Sequence, residues 1–243
     1  MFAGPNGSGK SKLFDNLALE RSPLGVFHGG PFVNADELET QWRDAGAIDL
    51  TPFRIAASTR EMCAWMQRSA WAAQVREVAA RMEFSGHTLR LPRHPRRSYF
   101  AAALADYLRE KLVAASRSFS FETVMSHRSK VDFFARARSR GYKTYLYFVA
   151  TDDPELNVQR VRVRVLAGGH PVPRRKIIER FARSLALLSE AVQASDRAFL
   201  FDNSGTGHVL VAEVTAGRML TRHLPEEAEP AWFRRFMKKA GYL

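Results

Sequence analysis

The chain has 243 residues, 46% of them hydrophobic and 26% charged, which suits one α/β domain with an insert and excludes a long disordered polypeptide. Lys and Arg outnumber Asp and Glu by 37 to 25, a formal charge of +12, and such a field draws in anionic partners: nucleotides, nucleotide sugars or nucleic acid. No apolar run approaches the roughly eighteen residues that cross a bilayer, so no membrane contact and a cytoplasmic location are expected.

In chain order, the first segment, Gly4-Pro5-Asn6-Gly7-Ser8-Gly9-Lys10-Ser11, matches G-x-x-x-x-G-K-[ST]. Its glycines let successive backbone N–H groups turn toward phosphate oxygens. Lys10 is expected to reach the β- and γ-phosphates of ATP or GTP, Ser11 to ligate Mg²⁺, and the following helix, Lys12 to Arg21, to add its positive N-terminal end. Gly4, Asn6, Gly7, Ser8, Gly9, Lys10, Ser11 and Lys12 are the expected nucleotide-binding residues. A phosphate loop normally hangs from a strand of about five residues, yet only Met1, Phe2 and Ala3 precede Gly4. A start read too late, an unusually short strand and a lost N-terminus are all open.

Gly25 to Glu37 reads as loop and a short strand ending at Asn34 or Asp36. From Pro52 to Glu83 the chain is rich in Ala, Met, Arg and Trp, as in one long helix or two short ones. Its single cysteine, Cys63, lies there and excludes an internal disulfide or a cysteine-based zinc cluster. LPRHPRR (Leu91 to Arg97) interrupts, after which Phe100, Leu104, Tyr107, Leu108 and Leu112 recur at helical spacing. Residues of about 52–117 thus form a helical insert.

From Phe119 the pattern becomes parallel α/β. FSFETV reads as a strand, Ser129 to Arg140 as a helix closed by Gly141, and Thr144 to Thr151 as a strand buried on both faces. A helix from Pro154 carries Arg160, Arg162 and Arg164 and stops at Gly168-Gly169. Another, with Ile177, Phe181, Leu185, Leu188 and Val192 in register, follows Pro173. AFLFDNS is a strand, His208 to Val214 an antiparallel edge strand, and Trp232 to Lys239 a basic helix. The expected fold is a single P-loop NTPase domain over 1–243, an α/β three-layer sandwich with a mostly parallel central sheet, the insert, and an arginine-bearing lid at about 157–180. The histidines lack ligand spacing, so magnesium is the only metal expected.

AGPNGSGKS, NADE, SFSFETVMSH, LYFVATDDPELNVQRVRVRV, GGHPVP and FDNS, in that order over residues 3 to 204, resemble the zeta-toxin family of P-loop kinases, most closely its chromosomal zeta-toxin-like branch. The resemblance implies phosphorylation of a small anionic substrate such as UDP-N-acetylglucosamine, and an antitoxin protein as partner. It assigns Asp36 the proton of the attacking hydroxyl. The residues agree, since a carboxylate after a strand beside the loop strand lies at the crevice where phosphoryl transfer needs a base; the plain alternative is a helix cap. Glu122 matches a family glutamate that binds substrate hydroxyls or orders the magnesium shell. Thr123 and Ser126 are hydroxyl donors beside it, where E-T-V-M replaces the family's E-G-T-like run. Arg160 and Arg164 share a helix face and are the lid catalytic candidates, with Arg180 and His170 behind them. Asp202 and Asn203 lie beside the nucleotide base by resemblance, with an Asx turn as the alternative.

Two other functions stay open. The charge, LPRHPRR, Trp65 and Trp71 fit a 5′-hydroxyl polynucleotide kinase with nucleic acid as partner. The short first strand and the E-T-V-M run fit a nucleotide-binding regulatory module with little turnover.

Overall fold

The computed structural model describes residues 1–19, 30–95 and 97–241. Its elements begin with β1 (Phe2–Ala3), α1 (Lys10–Leu19), β2 (Phe32–Val33), α2 (Ala35–Ala45), β3 (Ala47–Asp49), α3 (Thr59–Arg68) and α4 (Ala72–Ala79). Then come β4 (Glu83–Ser85), β5 (Thr88–Arg90), α5 (Arg97–Ala114), β6 (Ser120–Thr123), α6 (Ser129–Ser139), β7 (Tyr145–Ala150) and α7 (Pro154–Leu166). The chain closes with α8 (Arg174–Ala186), α9 (Leu188–Gln193), β8 (Arg197–Asp202), β9 (Val209–Thr215), β10 (Met219–Arg222) and α10 (Ala231–Ala240). Among the described residues no helix is long and apolar enough to cross a membrane. The chain divides into two compact units, Met1–Phe27 with Glu122–Leu243, and His28–Phe121.

In the first unit β1 lies between β6 and β7, both parallel to it; β8 joins β7 in parallel, and β9 and β10 follow antiparallel. β1 has two residues, yet each is paired on both sides: Phe2 with Glu122 and Tyr147, Ala3 with Thr123 and Phe148. Residues in register point to one face, and the rings of Phe2, Tyr147 and Phe199 stack across three strands at 4.8 and 5.0 Å. Phe14 of α1 meets Phe2 edge-on at 5.3 Å, covering that face. The next residue, Phe148, points the other way and meets Trp232 of α10 at 6.2 Å. Helices therefore cover both faces, giving the expected α/β layers around a mostly parallel sheet.

Local chemistry sets the element ends. Asp153 caps α7 by accepting from the Glu155 N–H at 2.8 Å, with Pro154 at the first helical position, where its missing donor costs nothing. α10 buries Trp232, Phe233, Phe236 and Met237, one stripe at helical spacing. Two expectations are corrected here. His208 to Val214 is not an edge, because β10 lies outside it; β10 has no buried residue, so no apolar alternation marked it. The helix expected through Val192 is interrupted at Leu187, between α8 and α9, although Ile177, Phe181, Leu188 and Val192 are all buried as that helix required.

In the second unit Phe32 pairs with Ser120 and Val33 with Phe121. The strand ends at Val33, not at Asn34 or Asp36. Asn34, extended at φ −128°, caps α2 by accepting from the Asp36 N–H at 3.0 Å. α2 closes at Gly46, whose φ of 68° is the left-handed cap conformation. Of the two readings from Pro52 onward the structure has two short helices, α3 and α4, and it adds an antiparallel sheet in the order β3-β5-β4. These strands have three residues each, too short for alternation to stand out. Trp42 packs edge-on to Phe100 at 5.4 Å, Trp65 on Tyr107 at 5.6 Å and Trp71 on Tyr99 at 5.6 Å, so these indoles are spent on the unit's own packing.

Candidate active site

In the first unit four parallel strands end on one edge of the sheet, and the segments that follow β1, β6, β7 and β8 emerge together there. Ligands of open α/β sheets bind outside this carboxyl edge. Residues Gly4 to Gly9 follow β1, and Lys10 opens α1. Gly7 and Gly9 have φ of 75° and 98°. A Cβ on Gly7 would come within 2.6 Å of the Asn157 carbonyl oxygen, and one on Gly9 would collide with the Asn203 amide. Both positions therefore need glycine for conformation and for space.

Side chains from other segments hold the loop's carbonyls. Asn157 Nδ2 donates to the Asn6 carbonyl at 2.6 Å, Asn203 Nδ2 to the Ser8 carbonyl at 2.7 Å, and Lys10 Nζ to the Pro5 carbonyl at 2.9 Å. In a planar trans peptide the next N–H points opposite the carbonyl. Holding the Asn6 and Ser8 oxygens toward the protein turns the N–H groups of Gly7 and Gly9 toward the loop's interior, which makes a concave anion site of backbone amides. The side-chain oxygens of Asn6 and Ser8 are buried without a hydrogen-bond partner in this site. A ligand that supplied one would remove the cost of leaving them unpaired.

Lys10 and Ser11 meet one carboxylate. Ser11 Oγ donates to Glu122 Oε2 at 2.7 Å, and Lys10 Nζ lies 3.7 Å from Glu122 Oε1. Ser11 is exposed and Lys10 buried. With its proton given to Glu122, the Ser11 oxygen keeps its lone pairs for a cation.

The other candidates are distributed as follows. Lys12 is exposed on α1. Thr123 Oγ1 accepts from the Met125 N–H at 3.1 Å, which makes the turn carrying half-buried Ser126. Arg160 donates to the carbonyls of Asn203, at 2.7 Å, and Gly205, at 3.2 Å, so it braces the segment after β8. Arg164 donates to the His170 carbonyl at 2.9 Å, bringing those two together at the end of α7. Arg180 is half-buried on α8. Asp202 accepts from Ser204 Oγ at 2.9 Å, from the Ser204 N–H at 2.9 Å and from the Trp232 indole at 2.8 Å. Asp36 belongs to the other unit, exposed in the first turn of α2.

Three contributors were not singled out from the sequence. Asn157 is fully buried and accepts from the Thr151 hydroxyl, so α7 and the end of β7 are tied to the loop through one side chain. Trp232 holds Asp202. His208 Nε2 lies 3.0 Å from the Gly9 carbonyl. Asn157 and His208 stand 151 and 199 residues from the groups they touch. No local periodicity carries such a pairing.

Residues 96–210 match the Zeta toxin family model. No curated protein matches by sequence. Among solved structures the chain is similar to the native AvrRxo1-ORF1:-ORF2 complex, at 17% identity and TM-score 0.57 over 98% of this chain and 62% of that one. It is likewise similar to AvrRxo1-ORF1:-ORF2 with ATP, at 15% identity and TM-score 0.55 over 91% and 60%. A further similarity is to the PezAT chromosomal toxin-antitoxin system of Streptococcus pneumoniae, at 13% identity and TM-score 0.49 over 99% and 86%. This chain thus spans about three fifths of the AvrRxo1 chains it resembles, and at these identities the likeness to them is one of fold. The matched family span takes in α5 through β8 and the first two residues of β9, and the phosphate loop precedes it. Residues 96–210 thus resemble the Zeta toxin family, and the chain as a whole shares an α/β fold with the AvrRxo1 structures.

Proposed function

We propose that this chain is a kinase that binds ATP or GTP at Gly4–Ser11 and transfers the terminal phosphoryl group to a hydroxyl of a small anionic metabolite, with a nucleotide sugar such as UDP-N-acetylglucosamine as the leading acceptor. The observation that carries the proposal is the loop itself: carbonyls held outward, amides turned inward, and Lys10 and Ser11 converging on Glu122. The zeta toxin match and an AvrRxo1 relative crystallised with ATP support it.

The oxygen-rich pair Ser11 and Glu122 fits magnesium, a hard cation that prefers oxygen ligands and keeps several waters. Ser11 would hold it directly and Glu122 through its water shell. When bound, magnesium neutralises charge on the β- and γ-phosphate oxygens. In the transfer the acceptor oxygen forms a bond to the γ-phosphorus, the bond from that phosphorus to the β–γ bridging oxygen breaks, and the nucleoside diphosphate leaves. The acceptor's proton passes to Asp36, the role that resemblance gives it. Lys10 and the inward amides stabilise charge on the transferring group. Arg160 and Arg164, now spent on backbone carbonyls, are proposed to swing onto the phosphates as lid residues. An antitoxin is the proposed protein partner.

The test is labelled ATP with magnesium, offered a nucleotide-sugar panel, a metabolite extract and oligonucleotides. Label in a small hydroxylated metabolite is the expected result. Label in oligonucleotides alone would replace this reading with the polynucleotide one. Nucleotide binding with no labelled product would leave a regulatory module.

A further inference from the structure

His208 reaches the phosphate loop from the segment that joins β8 to β9. Its Nε2 is 3.0 Å from the Gly9 carbonyl oxygen, and a Cβ on Gly9 would meet the same nitrogen at 3.0 Å. The ring is therefore packed against the loop as well as bonded to it. A carbonyl oxygen only accepts, so Nε2 carries the hydrogen, whether or not Nδ1 is protonated. The Gly9 carbonyl accepts from the Leu13 N–H of α1 at 3.0 Å as well as from His208, and with it held there peptide planarity turns the Lys10 N–H the opposite way, into the loop. This is the amide at the start of α1, where the helix adds its own partial positive charge.

We propose that His208 is a positioning residue for nucleotide binding, whose Nε2–H reinforces the Leu13 N–H in holding the Gly9 carbonyl out of the phosphate loop and so aims the Lys10 amide at the phosphates. The inference rests on the nucleotide-binding reading above. Asn157 and Asn203 do the same for their own carbonyls, but neither titrates, and His208 therefore adds a readout that a merely structural residue lacks.

Burial lowers the imidazole pKa from its ordinary value; the Gly9 hydrogen bond acts the other way, and Lys12 of α1 and Arg160 of α7, the charges facing the ring, lower it further. A polyphosphate in the loop offsets those two cations, so the pKa of His208 is higher in the complex than in the free protein. The sign follows from linkage. The extra affinity is fully present below the free-protein pKa, itself below the usual imidazole value, and is lost as pH rises through the higher pKa of the complex.

Calorimetric titration with magnesium-ATP from about pH 5.5 to about pH 8.5, on wild type, His208→Ala and His208→Gln, tests this. Thermal unfolding of each variant is followed in parallel. Wild type is expected to bind more tightly as pH falls, with a steeper slope than His208→Gln, whose slope reports the nucleotide's own titration. At the alkaline end His208→Ala is expected to lose about tenfold in affinity, whereas His208→Gln, which retains an N–H donor, stays within about threefold. An Ala variant as tight as wild type, or a Gln variant with the wild-type slope, overturns the inference alone. If the Ala variant does not fold, the wild-type and Gln slopes still decide. A wild type that binds no ATP overturns the inference together with the reading beneath it.

Discussion

Ser11 Oγ donates its proton to Glu122 Oε2 at 2.7 Å, joining the end of the phosphate loop to the end of the neighbouring strand across 111 residues of sequence. The same carboxylate lies 3.7 Å from the Lys10 ammonium. Glu122 thus bears on both residues that the motif assigns to phosphate and magnesium.

Glu122→Gln keeps the shape and an acceptor for Ser11 but removes the charge. The magnesium concentration that half-saturates turnover is expected to rise about tenfold, while ATP without magnesium binds as well or better, because a negative charge beside Lys10 is gone. Turnover titrated against magnesium, with ATP affinity measured in chelator, checks both halves. An unchanged magnesium requirement would remove Glu122 from the metal's surroundings.

Asn157 carries two hydrogen bonds in a fully buried position, one accepted from Thr151 and one given to the Asn6 carbonyl. Asn157→Leu has similar volume and strands both partners. Unfolding in urea should show a loss of about 2 to 4 kcal/mol, and ATP affinity should fall by about tenfold or more. Full stability in the variant would mean that the loop does not depend on this tie.

Gly7→Ala puts a Cβ within 2.6 Å of the Asn157 carbonyl oxygen at φ 75°. The strain is of the order of 1 to 3 kcal/mol, and it falls on the loop. ATP affinity should drop by about a hundredfold, against a fall of a few degrees in melting temperature. Equal affinity in the two proteins would contradict the anion-site geometry.

Asp196 gives a pH prediction away from the loop. Burial alone would raise its carboxyl pKa, but hydrogen bonds from the Thr144 N–H at 2.8 Å and hydroxyl at 3.0 Å, with Lys143 and Arg138 nearby, outweigh burial and leave it lowered. A carboxyl whose pKa is depressed on folding contributes stability above its unfolded value of about 3.9, and loses it as pH falls through the lower folded value. Wild type should therefore lose stability below about pH 4 in a step that Asp196→Asn lacks, as read from urea unfolding at a series of acidic pH values. Identical profiles would deny the contribution.

Where the sequence was legible, one local pattern carried the information. The eight-residue loop motif, the apolar run of β7 and the Pro154 start of α7 each sit within a few residues, and each is found as expected. The misses have two causes. β10 and the three-residue strands of the second unit are too short or too exposed to show a period. Asn157, Trp232 and His208 act through contacts across 151, 30 and 199 residues, which only the sheet order creates. Asp36 falls between these cases. Its neighbourhood was read, but the strand ends at Val33 and Asn34 takes the cap, so Asp36 lies in the first turn of a helix and does not end a strand.

The most direct test of the central claim is single-turnover transfer of the γ-phosphate from labelled ATP to the acceptor, compared in wild type, Lys10→Ala and Asp36→Asn, with ATP affinity measured alongside. Lys10→Ala is expected to lose binding and transfer together, whereas Asp36→Asn binds ATP within about threefold of wild type and slows transfer by about 100-fold or more. Wild-type transfer rates in Asp36→Asn, or transfer that survives in Lys10→Ala, would contradict that claim.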